Sequence, residues 1–125
     1  MNRRNALARL ATVALLGALP VSAFAADTIK IGLILPMTGP SASTGRQVSA
    51  AVALYQAMNG KTVAGKTVEV IVKDDTGAAD QTKRLAQELV VNDHVAILAG
   101  FGLTPLALAA APIATQAKVP EIVMA

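Results

Sequence analysis

The sequence contains no cysteine, no tryptophan and a single histidine, and only 2% of its residues are aromatic. Without cysteine there is no disulfide scaffold, no thiolate metal site and no cysteine nucleophile. It also excludes a lipid anchor on a cysteine behind a leader. His94 alone supplies neither a multi-histidine metal centre nor a Ser-His-Asp triad, and it reads as a polar residue just ahead of a strand. The scarcity of aromatics argues against a platform for stacking single-stranded bases. With 54% hydrophobic residues, the core must be built from Ala, Val, Ile and Leu. A G-x-x-x-x-G-K-[ST] phosphate loop is absent. Gly100-x-Gly102 has Pro105 where a dinucleotide fingerprint needs its third glycine, and it does not follow the first strand. No metal or cofactor is expected.

What is present begins with a charge imbalance. The 125 residues carry 11 Lys and Arg against 8 Asp and Glu, for a net charge of +3 and a pI near 9.6. Arg3, Arg4 and Arg9 all fall in the first 25 residues, where there is no acid. Beyond them, basic and acidic residues balance. The basic excess therefore belongs to the leader, and no nucleic-acid partner is expected. Met1 to Ala25 has a positive start, an apolar run from Leu10 to Leu19, a break at Pro20, and small residues at Ala23 and Ala25. This is the pattern of a cleaved signal peptide, with the cut placed after Ala25. The apolar run is too short for a membrane-spanning helix, which needs about twenty residues. Arg3-Arg4 admits the twin-arginine route beside the general secretory one. Either route takes residues 26–125 out of the cytoplasm, in a bacterium to the periplasm.

After the leader, apolar runs and helical patterns alternate. Ile29–Leu35 reads as a buried strand ended by Pro36. A loop follows from Pro36 to Gly45, then a helix from Gly45 to Met58, with Val48, Ala51, Val52, Tyr55 and Met58 on one face. Val68–Lys73 is a second strand, closed by Asp74-Asp75-Thr76-Gly77. A second helix spans Ala79 to Asn92, with Leu85, Leu89 and Val90 on its buried stripe and Asp80 near its start. Val95–Ala99 is a third strand. Thr104-Pro105 opens a third helix, with Thr104 as its cap and Pro112 inside it. Val119–Met124 is a fourth strand. No hairpin signal is present. Strands alternating with helices predict an α/β fold with a parallel sheet and flanking helices. Ending on a strand would leave an incomplete sheet, so residues 26–125 are expected to be the N-terminal part of a longer domain.

In such sheets ligands bind beyond the carboxyl ends of the strands, where the strand order reverses. If the second and third strands flank the first, the loops 36–45 and 100–104 face each other across that point. Together they hold Gly39, Gly45, Gly100 and Gly102 for close backbone approach. They also hold the hydroxyls of Ser41, Ser43, Thr44 and Thr104. Helices starting near Gly45 and Thr104 would aim N–H groups at a carboxylate or phosphate. Asp74 and Asp75 are adjacent in an extended chain and point to opposite faces, so they cannot form one carboxylate dyad. They read as strand termination and helix capping. Lys83-Arg84 reads as a solvated helix face.

Five segments, in order and spacing, carry a resemblance: IKIGLILPMTGPSASTG, VEVIVKDDTG, KRLAQELVVND, VAILAGFGLTP and KVPEIVMA. From Ile29 to Ala125 the chain resembles the start of a type 1 periplasmic substrate-binding protein of the branched-chain amino acid (leucine-binding) ABC-transporter family. The resemblance implies the first lobe of a two-lobe protein that closes on its ligand by hinge motion. It implies a branched-chain or related amino acid, or a similar small carboxylate, as ligand. It also implies an inner-membrane ABC permease complex as partner, a monomeric full-length state and no catalysis. The ligand-binding positions it assigns here are Thr44, Gly102, Leu103 and Thr104. Two other readings remain open at this stage. One is an exported α/β enzyme on phosphorylated or nucleotide substrates. The other is a receptor or sensor ectodomain of the same fold.

Overall fold

The computed structural model describes residues 27–125, and the leader read in Met1–Ala25 lies outside them. The elements are β1 (Thr28–Leu35), α1 (Ala42–Asn59), β2 (Thr62–Val63), β3 (Lys66–Asp74), α2 (Ala79–Val91), β4 (Ile97–Gly100), α3 (Thr104–Ala117) and β5 (Glu121–Val123). They form one five-stranded sheet in the order β2-β3-β1-β4-β5. β1 lies at its centre and pairs in parallel with β3 from Thr28↔Thr67 to Leu35↔Asp74. On its other side it pairs in parallel with β4, which pairs in parallel with β5. The strand order therefore reverses at β1, between β3 and β4, as the site expectation required.

The sheet is not wholly parallel. β2 pairs antiparallel with the start of β3, through Thr62↔Thr67 and Val63↔Lys66. The turn between them is Ala64-Gly65, with φ of 50° and 78°. Two successive left-handed residues are what a two-residue hairpin needs. The usual Asn-Gly or Asp-Gly marker is replaced by Ala-Gly, and β2 has only two residues, which is why the sequence carried no hairpin signal.

Each face of the sheet has its own core. Alternation along β1 sends Ile34 to one side and Leu33 and Leu35 to the other. Ile34 and Leu98 pack with Leu85, Ala86 and Leu89 of α2 and Ala107, Ala110 and Ala114 of α3. The alanines let the two helices lie close together. Leu33, Leu35 and Ala99 meet α1 through Val48 and Val52. The expected α2 stripe is observed: Leu85 and Leu89 are buried and Val90 packs against them. The expected α1 stripe faces the sheet but is only partly packed. Val48 and Val52 pack, Ala51 and Tyr55 line an open apolar cavity with Ile31, Val68 and Val70, and Met58 is exposed. α1 also begins three residues earlier than the apolar pattern indicated, because its first turn holds the small and polar residues Ala42, Ser43 and Thr44. Pro112 and Leu108 are both exposed, so the carbonyl that Pro112 leaves without a donor lies on the water side of α3.

Candidate functional site

The loops that leave β1 and β4 meet at the carboxyl end of the sheet, around Pro36. That residue is fully buried. Gly45 lies in the first turn of α1, where a Cβ would drive into the Pro36 carbonyl. Gly102 lies in the β4–α3 loop, where a Cβ would come within 2.6 Å of the Pro36 ring. At Gly100 a Cβ would overlap the Ile34 carbonyl, and the backbone is left-handed, with φ of 109°. These glycines allow α1, β1 and the β4–α3 loop to come together without side chains in between.

Phe101 was not singled out by the sequence. It is fully buried in the core, yet its φ is 65°. A bulky residue in the left-handed region is strained. Burial of the ring and the bond from its N–H to the Ile34 carbonyl, 2.7 Å, hold it there. The turn therefore points Gly102, Leu103 and Thr104 away from β4 in a fixed direction.

The anticipated site residues occupy the following positions. Thr44 is exposed in the first turn of α1, and its N–H donates to the Ser41 carbonyl at 3.1 Å. Ala42 N–H likewise donates to the Gly39 carbonyl. Internal bonds thus take up N–H groups that were expected to face a ligand. Gly102 is half-buried, and Leu103 is 41% exposed. Leu103, not Thr104, is the N-cap of α3, with an extended backbone and no side-chain cap bond. The Leu103 carbonyl accepts the first helical bonds, from Leu106 and Ala107. Thr104 is then the first helical residue, and its exposed hydroxyl does not cap the helix. Among the described residues, the N–H groups of Gly102, Leu103 and Thr104 donate to no protein acceptor. Three consecutive free N–H groups beside a hydroxyl can bind a carboxylate. Neither loop, 36–45 nor 100–104, contains a charged residue.

The acidic pair divides as its spacing required. Asp75 is buried on the α2 side, where it accepts from the Gly77 N–H at 3.0 Å and the Thr82 hydroxyl at 2.9 Å. It reaches past the helix start; the N-cap of α2 is Ala78, with no side-chain bond. Asp74 turns toward the β1–α1 loop. It accepts from the N–H groups of Met37, Thr38 and Thr76 and from the Thr38 hydroxyl. These bonds, the Thr38 hydroxyl foremost, hold its carboxyl below the usual range. Lys83 and Arg84 are exposed, as expected. His94 is exposed in the irregular stretch ahead of β4, with φ of 54°. Among the described residues no group of three or more His, Asp or Glu side chains could hold a metal ion.

Comparison with known proteins bears on this geometry. The profile of the periplasmic binding protein family matches residues 28–125. A Leu/Ile/Val-binding protein homolog 6 from Brucella abortus (strain 2308) is 46% identical over 107 residues, covering 85% of this chain and 27% of the relative. A solute-binding protein of an ABC transporter from Rhodopseudomonas palustris BisB5, solved with 3,4-dihydroxybenzoic acid, is 68% identical. Its TM-score is 0.78, over 79% of this chain and 27% of that one. A counterpart from R. palustris HaA2, solved with p-hydroxybenzoic acid, is 44% identical, with a TM-score of 0.74 over 78% and 27%. The chain thus spans about a quarter of the length of the relatives it matches.

Proposed function

The chain belongs to the periplasmic binding protein family, and from that premise we propose that it forms part of the first lobe of an ABC importer's solute-binding protein. Its solute is a small carboxylate. The observation that carries this reading is the neutral rim at the β1/β4 reversal, where three free N–H groups and the Thr104 hydroxyl stand beside the apolar Leu103. Thr104 and the Gly102 and Leu103 amides take the carboxylate. Leu103 and the exposed first turn of α1 with Thr44 line the remainder. The second lobe closes over the solute by hinge motion and excludes water. The closed form is then read by an inner-membrane permease, and the protein works in the periplasm after removal of a signal peptide in residues 1–25.

Within the carboxylates, we favour hydroxylated benzoates over branched-chain amino acids. A relative solved with 3,4-dihydroxybenzoic acid is 68% identical to this chain over the aligned part, which is 27% of that relative. The two loops also contain no carboxylate to answer an ammonium group. The amino-acid reading is supported by the Leu/Ile/Val-binding homologues at 46% identity. The relatives named above are binding proteins, so the reading as an enzyme has no counterpart among them.

Calorimetry of the full-length protein with 3,4-dihydroxybenzoate, 4-hydroxybenzoate, Leu, Ile and Val tests the proposal. Binding of a hydroxybenzoate with no response to the amino acids is expected. The reverse pattern would restore the amino-acid assignment, and silence toward all five would overturn both. Thr104→Ala is expected to weaken carboxylate binding by roughly 1–3 kcal/mol. An unchanged affinity would remove its assigned role.

A further inference from the structure

We propose that Asp74 is a positioning residue for solute capture, holding the β1–α1 loop in the shape that brings the first turn of α1 to the cleft. This rests on the solute-binding reading above and adds to it a residue that does not itself touch solute.

The geometry begins with register. Asp74 is the last residue of β3 and pairs with Leu35, the last residue of β1. Its carboxylate therefore emerges beside the point where the β1–α1 loop departs. One oxygen, Oδ1, accepts from Met37 N–H at 2.9 Å, Thr38 N–H at 3.3 Å and Thr76 N–H at 2.8 Å. The other, Oδ2, accepts from the Thr38 hydroxyl at 2.7 Å. Hydrogen bonds to an ionised acceptor are about twice as strong as neutral ones. One side chain thus ties two loops that lie far apart in sequence.

The tie runs on toward the candidate site. Thr38 leads directly into Gly39, which is left-handed with φ of 82° and lies against the Thr76 carbonyl. The Gly39 carbonyl accepts from Ala42 N–H, and the Ser41 carbonyl accepts from Thr44 N–H. Between Met37 and Thr44 the loop is thus held at Met37, Thr38, Gly39, Ser41, Ala42 and Thr44. The groups facing Asp74 are neutral donors. Its neighbours Lys73 and Asp75 turn to the other face, toward Glu88 and Thr82. Asp74 is therefore the one charged acceptor that holds this loop among the described residues. At neutral pH the carboxylate is ionised and the clamp intact. The lowered pKa means that the clamp is lost only as pH falls through that value, below the usual carboxylate range.

The test uses the full-length protein with three variants: Asp74→Ala, Asp74→Asn and Thr38→Val. Solute affinity is measured by calorimetry and the amide exchange of Met37 and Thr38 by NMR in the solute-free state. Asp74→Ala is expected to lose about tenfold in affinity, the scale of one such anchor, with loss of protection at both amides. Asp74→Asn keeps an oxygen for the N–H donors and should recover most of both. Thr38→Val removes only the hydroxyl and is expected to lose several-fold; it also serves if Asp74→Ala does not fold. Unchanged affinity in Asp74→Ala, or in Thr38→Val, overturns the proposal. So does lost affinity with both amides still protected. If the wild type binds none of the solutes, the solute reading fails, while amide exchange still decides whether Asp74 holds the loop.

Discussion

The two faces of the sheet are built from similar residues but closed to different degrees. On the α2/α3 side, Ile34, Ala86, Leu89, Leu98, Phe101 and Ala110 are completely buried. On the α1 side the apolar cluster is smaller: Leu33, Leu35 and Ala99 are buried in it, and Val48 and Val52 are half-covered. Leu54, Tyr55 and Met58 on α1, with Ile122 and Met124 near the far edge, face solvent. The reason is width. Strands lie about 4.8 Å apart, so five of them span about 19 Å, whereas a helix with its side chains is about 10–12 Å across. Two helices cover such a face and one does not. α1 packs through Val48 and Val52 on Leu33, Leu35 and Ala99, and leaves Val72 of β3 and Ile122 of β5 exposed on either side. Compositional hydrophobicity therefore says little about which apolar residues are core; the number of helices on each face decides it.

The largest expected effect is on the closed face. Leu89→Ala removes a fully buried side chain that packs against Gly32 of β1 and should cost about 2–5 kcal/mol, measured by chemical denaturation of the full-length protein. Val52→Ala, the matching change on the open face, should cost roughly 1 kcal/mol, since less area leaves water there. Equal costs would break the comparison. Next comes the Lys73–Glu88 pair, 2.7 Å apart on the α2 side and partly exposed. Lys73→Met is expected to cost at most about 1 kcal/mol and less in high salt. The bond to Glu88 raises the Lys73 pKa. Its contribution is therefore complete at neutral pH and lost as pH rises through the raised value, which a pH series of melting temperatures above neutrality would reveal. The smallest effect is at Tyr55 and Met58. Changing either to Ser should move stability by no more than about 0.5 kcal/mol if that flank stays in water. A larger loss in the full-length protein would mean that another part of the protein covers it.

Glu121 sharpens the contrast at the sheet edge. One of its carboxylate oxygens is buried without a partner among the described residues, and desolvation raises its pKa. The fold thus favours the neutral acid, and this contribution is present at low pH and lost as pH rises through the raised value. Glu121→Gln should be slightly more stable than wild type at pH 7 and equal to it in acid, as read by thermal melts at both pH values.

Much of the fold was legible because its signals are local. Ile29–Leu35 and Val95–Ala99 are apolar runs closed by Pro36 and Gly100, and the α2 stripe of Leu85 and Leu89 repeats at helical spacing. Strand order and the site loops followed from those signals with one condition about neighbours, which the sheet satisfies. Three features were misread, each for a physical reason. The β2–β3 hairpin rests on Ala64 in a conformation that alanine seldom adopts. The cap of α3 fell on Leu103 because extended backbone, without a side-chain bond, is enough to start that helix. The start of α1 lies at Ala42 and not at Gly45 because its first turn holds small and polar residues that carry no apolar pattern.

Sequence alone determined the order of the four parallel strands and three helices, the loops that carry glycine and hydroxyl residues, and the opposed directions of Asp74 and Asp75. All of these follow from backbone periodicity and turn chemistry between near neighbours. Tertiary structure alone decided which N–H groups remain free for a ligand, the strained turn at Phe101 and the reach of Asp74 to Met37 and Thr38. Each of these depends on residues tens of positions apart meeting at the end of one sheet, where register and burial, not local propensity, set the outcome.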